Sequence, residues 1–147
     1  MKHLRASGHS IGFALATTLS GIAAAAGTEI KGAAILDHPC GKVAVKQMGL
    51  VHAGKMEDAN KLSTKEMQDQ WKKMPAKDRE MMAGMMKQMS ATEQDFSNDI
   101  KSNGVMAVDG ENATLMVKKT TKDKSGTSTS TMTQRFKLDG SQCLVSQ

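Results

Sequence analysis

The stretch "VDGENATLMV", Val108 to Val117, decides the fold class of this 147-residue chain. Asp109-Gly110 is a strong turn signal for a tight β-hairpin. Beyond it Ala113, Leu115 and Val117 recur at every second position, the period of a strand with one buried face. Toward the C-terminus the same pattern continues. A strand from about Thr127 to Leu138 is rich in threonine and places Met132, Phe136 and Leu138 on one face. Asp139-Gly140 repeats the turn signal, and Cys143 and Val145 share a face of a last strand, Ser141 to Ser146. The polar segment "KDKSGTSTS", Lys122 to Ser130, reads as a turn region and not as a linker between domains. On the N-terminal side, Phe96 to Val108 reads as one long or bulged strand, with Gly104 as its irregularity.

Before about residue 92 the pattern is helical instead. A first helix begins near Asp37-His38-Pro39, where Asp37 or His38 caps and proline suits the first helical position. Its apolar surface comes from Val43, Met48, Leu50, Val51 and Ala53, and Gly54 ends it. Met56 to Leu62 reads as a short second helix. Ser63 or Thr64 caps a third, which carries Glu66 near the capping-box position and Met67 and Trp71 one turn apart. Pro75 separates this from a fourth, with Asp78 and Glu80 in its first turn and Lys87 in its last, as the helix dipole favours.

That fourth helix holds "REMMAGMMKQM", residues 79–89, with five of the chain's 13 methionines. At about 100° per residue, Met81, Met85, Met89, Met82 and Met86 fall within one arc of roughly 140°. Three readings compete. The leading one is ordinary packing of the stripe on the sheet, because a chain with three phenylalanines and one tryptophan needs another core filler. Part of the stripe, Met82, Met85, Met86 and Met89, with Trp71 and His52, is then the candidate lining of an apolar pocket or partner groove, for which adaptable thioethers are suited. The third reading is a Cu(I) site built from Met81, Met85 and Met89, since soft thioether ligands select Cu(I). The arc is too wide for all five to reach one ion, and no histidine interrupts the cluster.

Helices first and an antiparallel meander after them give an α+β domain, with the N-terminal helices packed on one face of a curved sheet of three to four strands. Residues 1–26 look like an export signal: Lys2 and Arg5 precede an apolar run from Ile11 to Ile22, and Ala23 to Ala26 offer small-residue cleavage frames. The apolar run is too short for a comfortable membrane span. Cleavage near Ala25-Gly27 leaves residues 27–36 as a flexible start and residues 37–147 as a single domain, periplasmic or secreted. Losing Lys2 and Arg5 lowers the formal charge from +5 to +3. Lys118, Lys119, Lys122 and Lys124 cluster near a hairpin tip without interleaved aromatics, which reads as a solvated loop and not as a nucleic-acid or phospholipid patch. The two cysteines, Cys40 and Cys143, form an even pair in an exported chain, and a disulfide is expected, with free thiols as the alternative.

The layout resembles the nuclear-transport-factor-2-like superfamily, in its small exported bacterial members. The resemblance spans nearly the whole mature chain through short phrases: "VKQMGLVHAGKMEDANKLST" in the first helix, "QWKKMPAKDREMMAGMMKQM" after it, "VDGENATLMV" in the sheet and "RFKLDGSQCLVS" in the closing hairpin. It implies a cone-like α+β fold. It carries over no catalytic residue. Catalytic relatives place Asp, Tyr or His in the cone, whereas this chain has no tyrosine, only His38 and His52 after cleavage, and Gln142-Cys143 where the family often has lysine and tryptophan.

Function is then expected to be non-enzymatic binding, of a small apolar ligand or of a protein partner in the cell envelope, including an inhibitor- or immunity-like role, by a monomer or homodimer with no cofactor. A Cu(I)-binding protein is the first alternative and a small isomerase- or hydrolase-like enzyme the second. For the enzyme, His52 is the one candidate acid or base. Asp95 and Asp99 read as surface residues of strand or loop. Nucleophile-elbow, zincin, P-loop and dinucleotide fingerprints are absent from the sequence.

Overall fold

The computed structural model describes residues 27–147, so the expected export signal lies outside the described residues. Five strands form one antiparallel sheet in sequence order: β1 (Thr28–Lys31), β2 (Gly104–Asp109), β3 (Asn112–Asp123), β4 (Gly126–Asp139) and β5 (Gln142–Ser146). The helices α1 (Pro39–His52), α2 (Met56–Asn60), α3 (Lys65–Lys73), α4 (Ala76–Met89) and α5 (Glu93–Asn103) complete an α+β fold. Both Asp-Gly turns close hairpins as expected, with Gly110 and Gly140 at positive φ of 56° and 59°, where a side chain is strained. Asp109 pairs with Asn112 and Asp139 with Gln142 across them.

The inward positions of the sheet carry the core. Met106, Leu115, Val117, Phe136 and Val145 meet Ile35, Ala44, Phe96 and Ile100. Fully burying each large aliphatic or aromatic side chain contributes roughly 1.5–3 kcal/mol. Cys40 on α1 and Cys143 on β5 are bridged, with Cα atoms 5.1 Å apart. The bond ties the first long helix to the last strand, 103 residues away in sequence. A second tie lies beside it: Val145 N–H donates to Leu62 at 2.9 Å, and Thr64 N–H donates back to Val145 at 2.8 Å.

Three expectations change. The sheet has five strands, not three or four, because Thr28–Lys31 pairs along β2. Residues 27–36 are therefore part of the folded domain, and Ile35, in the 3-10 turn Gly32–Asp37, is fully buried. The long strand from Phe96 to Val108 is instead α5 followed by β2. Thr92 caps α5, its Oγ1 accepting from Asp95 N–H at 3.1 Å, and Glu93 and Asp95 occupy the first turn. Phe96 and Ile100, one helical turn apart, are that helix's buried residues. Asp95 and Asp99 thus sit on a helix, and Asp99 lies 3.8 Å from Lys119.

The lysine cluster is exposed near a hairpin tip, as expected, but lies mostly on paired strands and not in a loop. β3 and β4 stay paired from Lys118–Thr131 out to Asp123–Gly126, beyond the reach of β2 and β5. Lys118, Lys119 and Lys122 therefore stand on an exposed two-stranded ribbon, and Lys124 lies in its turn.

Candidate functional site

The methionine stripe is a single helix face, as its spacing requires, but that face is not packed on the sheet. No residue of α4 is buried. Met81, Met85 and Met89 are 63%, 57% and 84% exposed, and Met82 and Met86 are 40% and 41% exposed. This corrects the expectation that the stripe fills the core.

The reason lies in how α4 is held. It packs against α1. Ser90 Oγ approaches His52 Nδ1, at the end of α1, to 3.5 Å. The stem of Lys87 lies over Gly54, just beyond it. Arg79 Nη1 sits 3.8 Å from Glu57 Oε1 of α2. Arg79 and Ala83 are half-buried. At about 100° per residue both lie more than 100° from the line through Met81 and Met85. The helix is anchored through Arg79, Ala83, Lys87 and Ser90; Met82 and Met86 border the contact, and Met81, Met85 and Met89 are turned outward.

Between α4 and the rest of the helical layer runs a shallow groove of about 300 Å³. Val51, Met56, Met67, Trp71, Met82 and Met86 are among its walls, and Gln47, Asn60, Ser63 and Gln70 are polar groups along it. Trp71 is fixed by its indole, whose Nε1 donates to Glu57 Oε1 at 3.0 Å. Ser63 is the one buried polar residue among those described. Its Oγ accepts from Gln47 Nε2 at 3.5 Å, and Gln47 Oε1 in turn accepts from Gln134 on β4.

A second hollow of about 390 Å³ follows the outer flank of α4, lined by Met74, Asp78 and the five methionines of the stripe. A third, of about 340 Å³, adds Met48 and Met132 beside Met89. Ten of the chain's 13 methionines line these three adjoining depressions. Met82 and Met86 border two of them.

The structure brings together Trp71, Met82 and Met86 from the expected set, and Met85 and Met89 on the next flank. His52 is exposed and lies outside the lining of the groove between α4 and the other helices. Sequence reasoning missed Met56, Met67 and Met74 as parts of the surface. Met67 had a signal in its one-turn spacing from Trp71, whereas Met56 and Met74, from other segments, had composition alone. Cys40 and Cys143 are joined as expected, and the disulfide leaves no free cysteine among the described residues.

Charge gives little chemistry to this region. No cluster of three or more His, Cys, Asp or Glu that could hold a metal occurs among the described residues. His38 caps α1, its Nδ1 accepting from Cys40 N–H at 3.2 Å, and burial pushes its pKa below the ordinary value. No helix among the described residues is long and apolar enough to cross a membrane.

Comparison with protein-family models, with curated proteins and with solved structures finds no match to this chain. The resemblance to the nuclear-transport-factor-2-like superfamily rests on its short motifs alone.

Proposed function

We propose that this is an exported, non-enzymatic binding protein whose methionine-lined face receives the apolar side of a protein partner in the cell envelope. One observation carries the reading: α4 is anchored through polar contacts and presents its apolar stripe to solvent. Contiguous exposed apolar surface of this kind marks interaction sites in folded proteins. Methionine suits the task, since unbranched and polarizable side chains adapt to varied partners. The depressions are open and shallow, which favours a partner's helix or extended segment over an enclosed small ligand. An inhibitor- or immunity-like role is one form of such binding. Export is supported by the signal-like residues 1–26 and by the disulfide.

The direct test is a fluorescent apolar probe titrated into the purified protein. Binding is expected, and Met85→Lys is expected to abolish it with the thermal transition unchanged. Equal binding by the folded variant contradicts the reading.

A second reading, Cu(I) binding through Met81, Met85 and Met89, is favoured by the thioether-rich flank of α4, where Asp78 is the one other lining residue. Native mass spectrometry with Cu(I) under reducing conditions decides it, and the lack of a stoichiometric adduct ends it.

A further inference from the structure

We propose that the outward methionines of α4 are sulfoxidation sites, and that adding oxygen to them makes this face polar while the fold stays intact. That the change also controls partner binding rests on the function proposed above; the modification itself does not.

Exposure grades the thioethers, and Met116 on β3 is also 38% exposed. Met81, Met85 and Met89 are more than half exposed, and Met82 and Met86 two-fifths exposed, whereas Met106 in the core is 0% exposed. An oxidant in solution meets the first group directly and reaches Met106 only when the domain opens. The stripe also carries none of the packing that holds the sheet to the helices, since α4 has no buried residue and is anchored through Arg79, Lys87 and Ser90. A polar group on Met81 or Met85 projects into water and displaces nothing. The two cysteines are already bridged, so no described thiol competes for the oxidant. The same bridge is the mark of an oxidising compartment.

The step balances with a hydroperoxide as oxidant. A sulfur lone pair attacks the terminal peroxide oxygen, an S–O bond forms and the O–O bond breaks. Sulfur loses two electrons and the peroxide gains them; the hydroxyl transferred to sulfur gives up its proton, and the departing oxyanion takes one up to leave as water when the oxidant is hydrogen peroxide. The product replaces a flexible apolar side chain by a polar, chiral one that methionine sulfoxide reductases restore. Along α4 this writes sulfoxide dipoles onto the face that was apolar.

The test treats the whole purified chain with limiting hydrogen peroxide. Peptide mapping locates the oxygen, circular dichroism follows folding, and retention on a hydrophobic-interaction column reads surface apolarity. Met81, Met85 and Met89 are expected to oxidise first, Met82, Met86 and Met116 next, and Met106 slower by on the order of tenfold or more. Retention falls while the thermal transition persists. A Met81→Leu, Met85→Leu, Met89→Leu variant loses less retention than the parent protein through the same treatment. Oxidation of Met106 in step with Met89, unfolding in step with oxidation, or equal loss of retention in the leucine variant overturns the proposal. If the sites and the retention behave as stated but the reduced protein binds no apolar probe, the sulfoxidation stands and the binding function falls.

Discussion

Trp71 Nε1 donates to Glu57 Oε1 at 3.0 Å, and the same oxygen lies 3.8 Å from Arg79 Nη1. One carboxylate of α2 thereby links α3 and α4, the two helices that carry most of the methionine surface. Both partners reach Glu57 from outside the core, so the groove is closed by an exposed polar link and not by buried apolar packing.

Replacing Glu57 by alanine is expected to loosen that link. The net value of such a hydrogen bond is about 0.5–1.5 kcal/mol, and the exposed ion pair adds little. Trp71 emission should shift to the red with only a small change in the unfolding midpoint. Emission identical to the parent protein would show that Glu57 does not hold the indole.

Reduction of the disulfide should cost much more. Cys40 and Cys143 are 103 residues apart, and opening a loop of that size typically destabilises by about 2–5 kcal/mol. Thermal unfolding with and without reductant measures this, as does a Cys40→Ala, Cys143→Ala variant. An unshifted midpoint in both would contradict the role given to the bridge.

The N-terminus of α1 gives a pH dependence. The His38 imidazole is held below its ordinary pKa by burial, so the folded state prefers it neutral. The unfolded chain then binds more protons as pH falls through about 6.5 toward the lower folded pKa, and stability drops across that window. The sign agrees with the geometry, because a protonated Nδ1 no longer accepts from Cys40 N–H. Asparagine at position 38 keeps a capping acceptor and does not titrate. In His38→Asn the drop below pH 6.5 should shrink. A variant that loses stability with the parent's pH profile would place the effect elsewhere.

Gly41 offers a packing test. A Cβ there would lie 1.8 Å from the carbonyl oxygen of Ile35, a backbone atom that cannot swing aside. Gly41→Ala should therefore destabilise by about 1–3 kcal/mol or more, although alanine is the better helix former. Gly84→Ala, where an added Cβ meets nothing within 4 Å, should stabilise α4 by up to about 1 kcal/mol. Equal shifts in denaturant midpoint for the two variants would overturn this contrast.

Much of the fold was legible because its signals are local. Asp109-Gly110 and Asp139-Gly140 specify turns through backbone conformation, and Pro39 specifies a helix start. The cysteine pair was legible from its even count in a chain with an export-like start. Phe96 to Val108 misled because Phe96, Ile100, Val105 and Val108 suit a strand as well as a helix. The Thr92–Asp95 cap and the four-residue step from Phe96 to Ile100 were the deciding cues. Thr28–Lys31 was missed because an exposed edge strand carries no buried alternation; its burial pattern has no buried position. For the candidate site, periodicity correctly placed five methionines on one face of α4. It could not say which way that face points, because the answer depends on Arg79, Lys87 and Ser90 meeting groups far away in sequence.

The central claim is that the outward face of α4 binds the apolar side of a partner. Calorimetric titration of the purified protein with a model amphipathic helical peptide tests it most directly. Binding with a negative heat-capacity change is expected, the mark of apolar burial. Substituting Met81→Gln, Met85→Gln and Met89→Gln together should weaken it at least tenfold, about 1.4 kcal/mol, while the domain stays folded. No heat of binding with the parent protein, or an unchanged Kd in the folded triple variant, would contradict the account.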